Sequence, residues 1–209
     1  QSKPEYGYKG INAFIVEKGW DGFLVGKKEN KLGIRSSDTH TLLFNDVKVP
    51  KENRIGADGF GFKFAMNILN GGRLGIASQA LGIAAGAYEL ALAYSKERET
   101  FGKPISKHQA ISFKLANMAT KIEAAKFLCL KAAFLKDKGK DYAKEGAMAK
   151  YYASEVAMEV TLEAVQIHGG YGFVKEYHVE RMMRDAKITQ IYEGTSEIQQ
   201  IIIAKEILK

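Results

Sequence analysis

The stretch SKHQAISFKLANMATKIEAAKFLC, residues 106–129, sets Ile111, Leu115, Met118, Ile122, Ala125 and Cys129 at alternating four- and three-residue steps. That spacing draws a single apolar stripe down one face of a helix. The helix is expected after Pro104, with Ser106 and Gln109 in capping-box relation, and to end at Lys138-Gly139-Lys140. Upstream, Met66, Leu69, Arg73, Ile76, Ala80, Ile83, Ala87, Leu90 and Tyr94 follow the same spacing. Gly71, Gly72, Gly75, Gly82 and Gly86 interrupt that run. Each weakens a helix by about 1 kcal/mol relative to Ala, so this helix needs tertiary support, and its small residues let a neighbouring backbone come close.

Downstream, Ala147, Tyr151, Ser154, Met158, Thr161 and Val165 carry a third stripe that stops at Gly169-Gly170. A last helix follows Gly194, with Ile198, Ile201, Ile202 and Ile207 set inward. Long helices joined by short loops predict an antiparallel bundle. Residues 1–55 have a different period. Gly10–Glu17, Phe23–Val25, Leu42–Phe44 and Val47–Val49 read as four short strands, with turns at Lys18–Gly22 and Asn45-Asp46. Four strands are too few to close a barrel and call for partners. The fold class is therefore α+β: the end of a β domain at 1–55, followed by a helical bundle at 56–209.

The 209 residues are 46% apolar and 26% charged, ordinary values for a soluble globular chain, and suffice for a buried core. No run of about 18 apolar residues stands in the sequence, so no membrane span is expected. No signal or transit peptide pattern stands at its start. The net charge is +7, but Lys96-Glu97-Arg98-Glu99 typifies how the two signs interleave. Nucleic-acid binding, which would concentrate the basic residues on one face, is not expected. The single cysteine, Cys129, excludes an internal disulfide and a Cys-based zinc site, fits a reducing compartment, and leaves no metal site expected.

Three further segments stand out: Arg98-Glu99-Thr100-Phe101-Gly102-Lys103-Pro104, Gln166-Ile167-His168-Gly169-Gly170-Tyr171-Gly172, and the run from Arg184 to Gln199 that contains Ile191-Tyr192-Glu193-Gly194-Thr195-Ser196-Glu197-Ile198-Gln199. Taken singly, each has a plain explanation. Arg98 and Lys103 suit a helix C-terminus, Gly169-Gly170 is a helix stop, and Ser196 with Gln199 is a capping box.

Together with Asn70-Gly-Gly-Arg-Leu-Gly-Ile-Ala77, these segments resemble the acyl-CoA dehydrogenase family over essentially the whole chain, in the manner of its short-chain and short/branched-chain members. The resemblance implies an N-terminal helical domain, a middle β domain and a C-terminal four-helix bundle, of which this chain carries the end of the second and all of the third. It implies oxidation of an acyl-CoA thioester to the trans-2-enoyl-CoA with FAD as cofactor, Glu193 being the base that takes the α-proton in a dry pocket. An alternative family position for the base, just before Arg73, is occupied here by Gly72, which cannot serve. By the same resemblance, Arg73 orients the base, Asn70 contacts the CoA moiety or substrate, Tyr192 walls the acyl pocket, and Gly194 belongs to the substrate site.

The backbone N–H of Glu193 and a flavin ribityl hydroxyl would polarise the thioester carbonyl. Thr195 and Glu197 would meet a cofactor phosphate or adenosine at a helix start. Arg98, Thr100, Phe101, Gln109, Gln166, Gly169 and Gly170 match positions that grip the adenine half of the flavin from a neighbouring subunit, although Gln109 is equally read as a capping residue. His168 is read as structural. The implied partners are an electron-transfer flavoprotein and further copies in a homotetramer or dimer, in a bacterial cytoplasm or a mitochondrial matrix. The main contacts to the flavin ring lie in β-domain loops that this sequence lacks, so the chain as given is expected to hold FAD weakly and to be inactive. An acyl-CoA oxidase using O₂ and a DNA-binding relative of the fold are the alternatives.

Overall fold

The computed structural model describes residues 3–209, which fall into two compact units. The first comprises residues up to Lys31 together with Arg35–Leu69; the second comprises Leu32–Ile34 and Asn70–Lys209.

In the first unit, β1 (Phe23–Lys28) pairs antiparallel with β2 (His40–Phe44) in the register Phe23↔Phe44, Leu24↔Leu43 and Val25↔Leu42, with an irregularity before Lys28↔His40. Both strands run longer than their apolar cores suggest. The other two expected strands do not form. Gly10 closes a 3₁₀ stretch, Pro4–Gly10, and the rest of that expected strand makes one isolated bridge, Phe14↔Arg54, flanked by Ile15 N–H to Asn53 O at 2.9 Å and Ile55 N–H to Ala13 O at 2.8 Å. A 3₁₀ turn at Lys51–Asn53, entered from Pro50, cuts that pairing short. Val47–Val49 leaves the ladder because Asp46 takes a φ of 51°, which turns the chain away just past Phe44. Leu24, Val25, Leu42 and Leu43 stay about half exposed on the two faces of this ribbon, and only Gly10 and Gly61 are buried in the described part of the unit.

The second unit is helical. α1 (Gly61–Glu97) enters it from the first, followed by a two-residue hairpin β3 (Glu99–Thr100) and β4 (Lys103–Pro104), then α2 (Gln109–Asp137), α3 (Ala143–His168), α4 (Val179–Lys187) and α5 (Ser196–Ile207). α2 packs on α3, and α3 also carries α4 and α5. The stripe predicted for α2 is the one observed: Leu115, Met118, Ile122, Ala125 and Cys129 are buried, with Ile111 packed against them. Burial of each large side chain contributes roughly 1.5–3 kcal/mol. α3 is buried over a wide arc, as its central place requires. On α1 the buried stripe is Ala77, Ala80, Ala84, Ala87, Ala91 and Ser95, while Leu90 is exposed. Close helix packing selects the alanines over their larger neighbours.

Several expectations are corrected. α2 starts at Gln109 with His108 as an extended N-cap and no side-chain cap bond; Ser106 lies in a preceding 3₁₀ turn, Ile105–Lys107, so the capping box does not form. On α5, Ile198, Ile201 and Ile207 are exposed and the buried residue is Gln199, because the helix turns that side chain toward the residues preceding it. α4 is a fifth helix where four were expected. Its Asp185 accepts from the Ile34 N–H at 2.6 Å and from Arg181 at 3.0 Å, and Arg184 donates to the Leu32 carbonyl at 2.8 Å. Despite the absence of an unbroken apolar run, α1 is long and apolar enough, by length and composition, to cross a membrane. Its alanine stripe is instead part of the core shared with α2 and α3.

Met118, 3% exposed, is the most deeply buried of the large apolar side chains in the α2 stripe. Met118→Ala is expected to destabilise the helical unit by about 2–5 kcal/mol. Lys126→Ala, on the solvent side, should change stability by no more than about 0.5 kcal/mol. Urea unfolding followed by circular dichroism checks the contrast.

Candidate functional site

The segment leaving α4 coils through a 3₁₀ turn, Ile188–Gln190, in which the buried Thr189 hydroxyl donates to the Ala186 carbonyl at 2.7 Å. Two left-handed residues follow, Glu193 at φ 57° and Gly194 at φ 91°. For Gly194 this is ordinary. For glutamate it costs on the order of 1–3 kcal/mol and persists only where its surroundings over-determine it. Those surroundings are explicit. Lys150 of α3, fully buried, donates to the Gly194 carbonyl at 2.6 Å; Gln199 of α5 donates to the same carbonyl at 2.9 Å and to the Glu193 carbonyl at 3.2 Å. Burial pushes Lys150 down to about 8, with Glu155 opposing and Arg73 adding to the effect.

The turn delivers the Glu193 side chain onto α1 at Gly72. A Cβ built there would stand 2.5 Å from Glu193 Oε2 and 2.9 Å from Cδ, so the carboxylate occupies the space that glycine leaves. Oε2 is buried without a hydrogen-bond partner. Beside it, Arg73 is 7% exposed; its Nη1 donates to Asn70 Oδ1 at 2.6 Å and its Nε is without a partner. Burial lowers the Arg73 pKa and the charge of Glu193 works against that. The Tyr192 hydroxyl donates to Gln79 Oε1, and burial pushes the phenol up. Thr195 caps α5, its Oγ1 accepting from the Ile198 N–H at 3.5 Å. The Thr195 hydroxyl also holds the exposed Glu197 below the usual carboxylate range, and Ser196 donates to Glu155 at 2.8 Å. Asn70, Arg73, Tyr192, Glu193, Gly194, Thr195 and Glu197 thus fall in one neighbourhood of α1, α3 and α5.

A second group forms around a cavity of about 520 Å³ lined by Arg98, Thr100, Gly169 and Gly170, together with Tyr94, His168 and Tyr171. No atom lies within 4 Å of where a Cβ would stand on Gly169 or Gly170, so this backbone is open to a ligand. The Arg98 guanidinium lies 5.9 Å from the Tyr171 ring. His168 is buried, its Nδ1 donates to the Ala164 carbonyl at 2.8 Å, and its ring stacks on Tyr94 at 4.3 Å, in keeping with a structural part. Burial pushes its pKa down. Phe101, Gln109 and Gln166 do not line the cavity. Phe101, at φ 52° in the β3–β4 turn, is 96% exposed, and both glutamines are exposed. The residues that sequence reasoning missed are Lys150, Gln199, Gln79 and Tyr94. Lys150 carried a signal: it stands three residues after Ala147 and four before Ser154, in line with the stripe of α3.

The family model described as "Acyl-CoA dehydrogenase, C-terminal domain" matches residues 59–208. The short-chain specific acyl-CoA dehydrogenase of Clostridium acetobutylicum is 56% identical over 203 residues, covering 97% of this chain and 54% of the relative. A subunit of the caffeyl-CoA reductase–Etf complex of Acetobacterium woodii is 53% identical over 203 residues, covering 97% of this chain and 54% of the relative. The structure of butyryl-CoA dehydrogenase from Megasphaera elsdenii superposes with a TM-score of 0.97 at 56% identity, covering all of this chain and 54% of that one. The chain spans about half the length of the curated relatives it matches.

The contact at Gly72 yields a direct check. Gly72→Ala should leave the helix intact, since alanine favours a helix over glycine by about 1 kcal/mol, while the methyl group forces the Glu193 carboxylate aside. A crystal structure of the variant should show Glu193 in a new rotamer with no drop in melting temperature. An unmoved carboxylate would contradict the geometry.

Proposed function

The chain belongs to the acyl-CoA dehydrogenase family, and on that premise we propose that Glu193 is the base of a flavin-dependent acyl-CoA oxidation. In this reading the whole protein converts a short or branched acyl-CoA thioester to its trans-2-enoyl-CoA. The observation that carries it is the Glu193 carboxylate, lodged against Gly72 with Oε2 buried and without a partner. An oxygen with no protein donor keeps its lone pair for a proton from substrate, and a water-excluded setting strengthens each electrostatic interaction around it. Arg73, buried beside it, supplies a positive charge that Glu193 in turn helps to hold in place. Tyr192, tethered to Gln79, forms a wall of the acyl site, and Asn70, held by Arg73, faces the CoA side. The Glu193 N–H polarises the thioester carbonyl, and Gly194 leaves room beside it.

FAD, when bound, supplies the acceptor for the β-hydrogen, which leaves as hydride. Arg98, Thr100, Gly169 and Gly170, gathered around one cavity with bare backbone, suit its adenine half. Glu197, an exposed carboxylate, fits a cofactor hydroxyl better than a phosphate, and Thr195 stands beside it at the start of α5. Phe101, Gln109 and Gln166 lie on exposed surface, the place for contacts to a cofactor held by a second copy. A homotetramer or dimer follows, supported by the exposure of Phe113, Phe127, Phe134 and Ile201. An electron-transferring flavoprotein is the proposed electron acceptor, supported by the Etf complex of the Acetobacterium relative. The proposed setting is the bacterial cytoplasm or the mitochondrial matrix.

Glu193→Gln in the full-length, flavin-loaded enzyme tests the reading. The rate of anaerobic flavin bleaching by butyryl-CoA should fall about 10²–10⁴-fold, the usual worth of a general base. Flavin content and acyl-CoA affinity should hold, because the Glu193 N–H is retained. Near-normal bleaching by this variant would return Glu193 to an ordinary carboxylate near a helix start.

A further inference from the structure

We propose that Lys150, together with Gln199, positions Glu193 by clamping the left-handed turn at Glu193-Gly194. The inference rests on the reading of Glu193 as the base and extends it to two side chains in the wall behind the turn.

Lys150 is 0% exposed, an arrangement that a lysine adopts only with a strong reason. The hydrogen bond its Nζ makes is to the Gly194 carbonyl, at 2.6 Å. A charged donor to a backbone carbonyl makes one of the stronger and more directional neutral–ion bonds. A plain ion pair would have served burial equally well. Glu155 acts on Lys150 electrostatically, yet its Oε1 accepts from the Ser196 hydroxyl. Gln199 is equally committed. Also 0% exposed, it directs both hydrogens of its amide at the Glu193 and Gly194 carbonyls and leaves its Oε1 without a partner. A buried amide that forgoes one bond to make two others is selected for those two.

Three donor bonds from two helices thus fix two consecutive carbonyls. Because each peptide group is planar, fixing the Glu193 carbonyl also sets the direction of the Gly194 N–H. The two planes flank Gly194, so its φ and ψ are held, and the Glu193 peptide plane from which the carboxylate is directed onto α1 is held with them. Neither Lys150 nor Gln199 is placed against the acyl chain or the cofactor, so their effect reaches the reaction through Glu193.

The test uses the full-length, flavin-loaded enzyme, with flavin reduction followed by stopped flow over a range of butyryl-CoA concentrations. Lys150→Met keeps the apolar stem and removes the donor. Val160→Ala, at a fully buried position on the same helix, is the control for packing loss alone. Lys150→Met should lower the limiting rate per bound flavin about 10–100-fold, as expected for a reacting group displaced by a fraction of an ångström to about 1 Å. Its substrate dissociation constant should stay within about threefold, and the primary isotope effect from α-deuterated substrate should rise. Val160→Ala should lower the melting temperature and leave the rate per flavin unchanged.

If Lys150→Met does not fold, Gln199→Leu, which removes the other donor, must show the same separation of rate from binding. In the Glu193→Gln background either substitution should cost little more, since no base remains to be positioned. A normal rate per flavin in Lys150→Met or Gln199→Leu, alongside a disabled Glu193→Gln, overturns the clamp and leaves the base standing. A normal rate in Glu193→Gln overturns the base itself.

Discussion

A backbone carbonyl taken out of water must find donors, and the Gly194 carbonyl finds one on α3 and another on α5. The dependence is mutual. Lys150 lies inside the helical unit with that carbonyl as its hydrogen-bond acceptor, and the left-handed glutamate beside it is held by the two helices that converge there. Removing either donor loses hydrogen bonding at the turn, roughly 0.5–1.5 kcal/mol for each bond and more for the charged one, whereas keeping both pins a conformation that an L-residue otherwise avoids. The arrangement of α3 and α5 and the shape of the turn are therefore one constraint seen from two sides.

On the opposite wall the constraint is steric. Gly72 provides an absence, and the carboxylate fills it. Arg73, the next residue, adds a buried charge whose Nη1 reaches Asn70 and whose Nε is without a protein partner. Buried, unpartnered polar atoms are rare in a settled protein and gather where a ligand is to complete the bonding. Here two of the three such side-chain atoms among the described residues belong to Arg73 and Glu193, and the third to Gln199 at the turn.

Much of this was legible in the residues. The α2 stripe from Leu115 to Cys129 was read position by position because its period is clean and its face is buried by a single partner surface. The α1 stripe was read rightly at Arg73, Ala80 and Ala87 and one residue aside at Ile76, Ile83, Leu90 and Tyr94, since hydrophobicity favours those side chains while close packing favours Ala77, Ala84, Ala91 and Ser95. On α5 the isoleucines misled, and Gln199, read with Ser196 as a capping box, instead turns inward to the carbonyls of Glu193 and Gly194. Short elements such as α4, and the loss of the strands at 10–17 and 47–49, depend on a turn at Lys51–Asn53 and a single positive φ at Asp46, which leave little trace in composition. Of the site, the cluster around Glu193 was found by its motif, while Lys150 and Gln199 were passed over because their importance lies in which carbonyl they reach.

The glycines along α1 carry a consequence for the order of assembly. α1 ends at Glu97 and α3 at His168, so at about 5–20 residues per second the helix waits on the order of 10 s during synthesis for the surface that covers it. A helix of such apolarity, formed early and left bare, would invite aggregation or diversion to a bilayer. Gly71, Gly72, Gly75, Gly82 and Gly86 together withhold several kcal/mol of intrinsic helical stability. By that count α1 has little helical stability of its own, and what holds it as a helix is the surface that α2 and α3 bring to it.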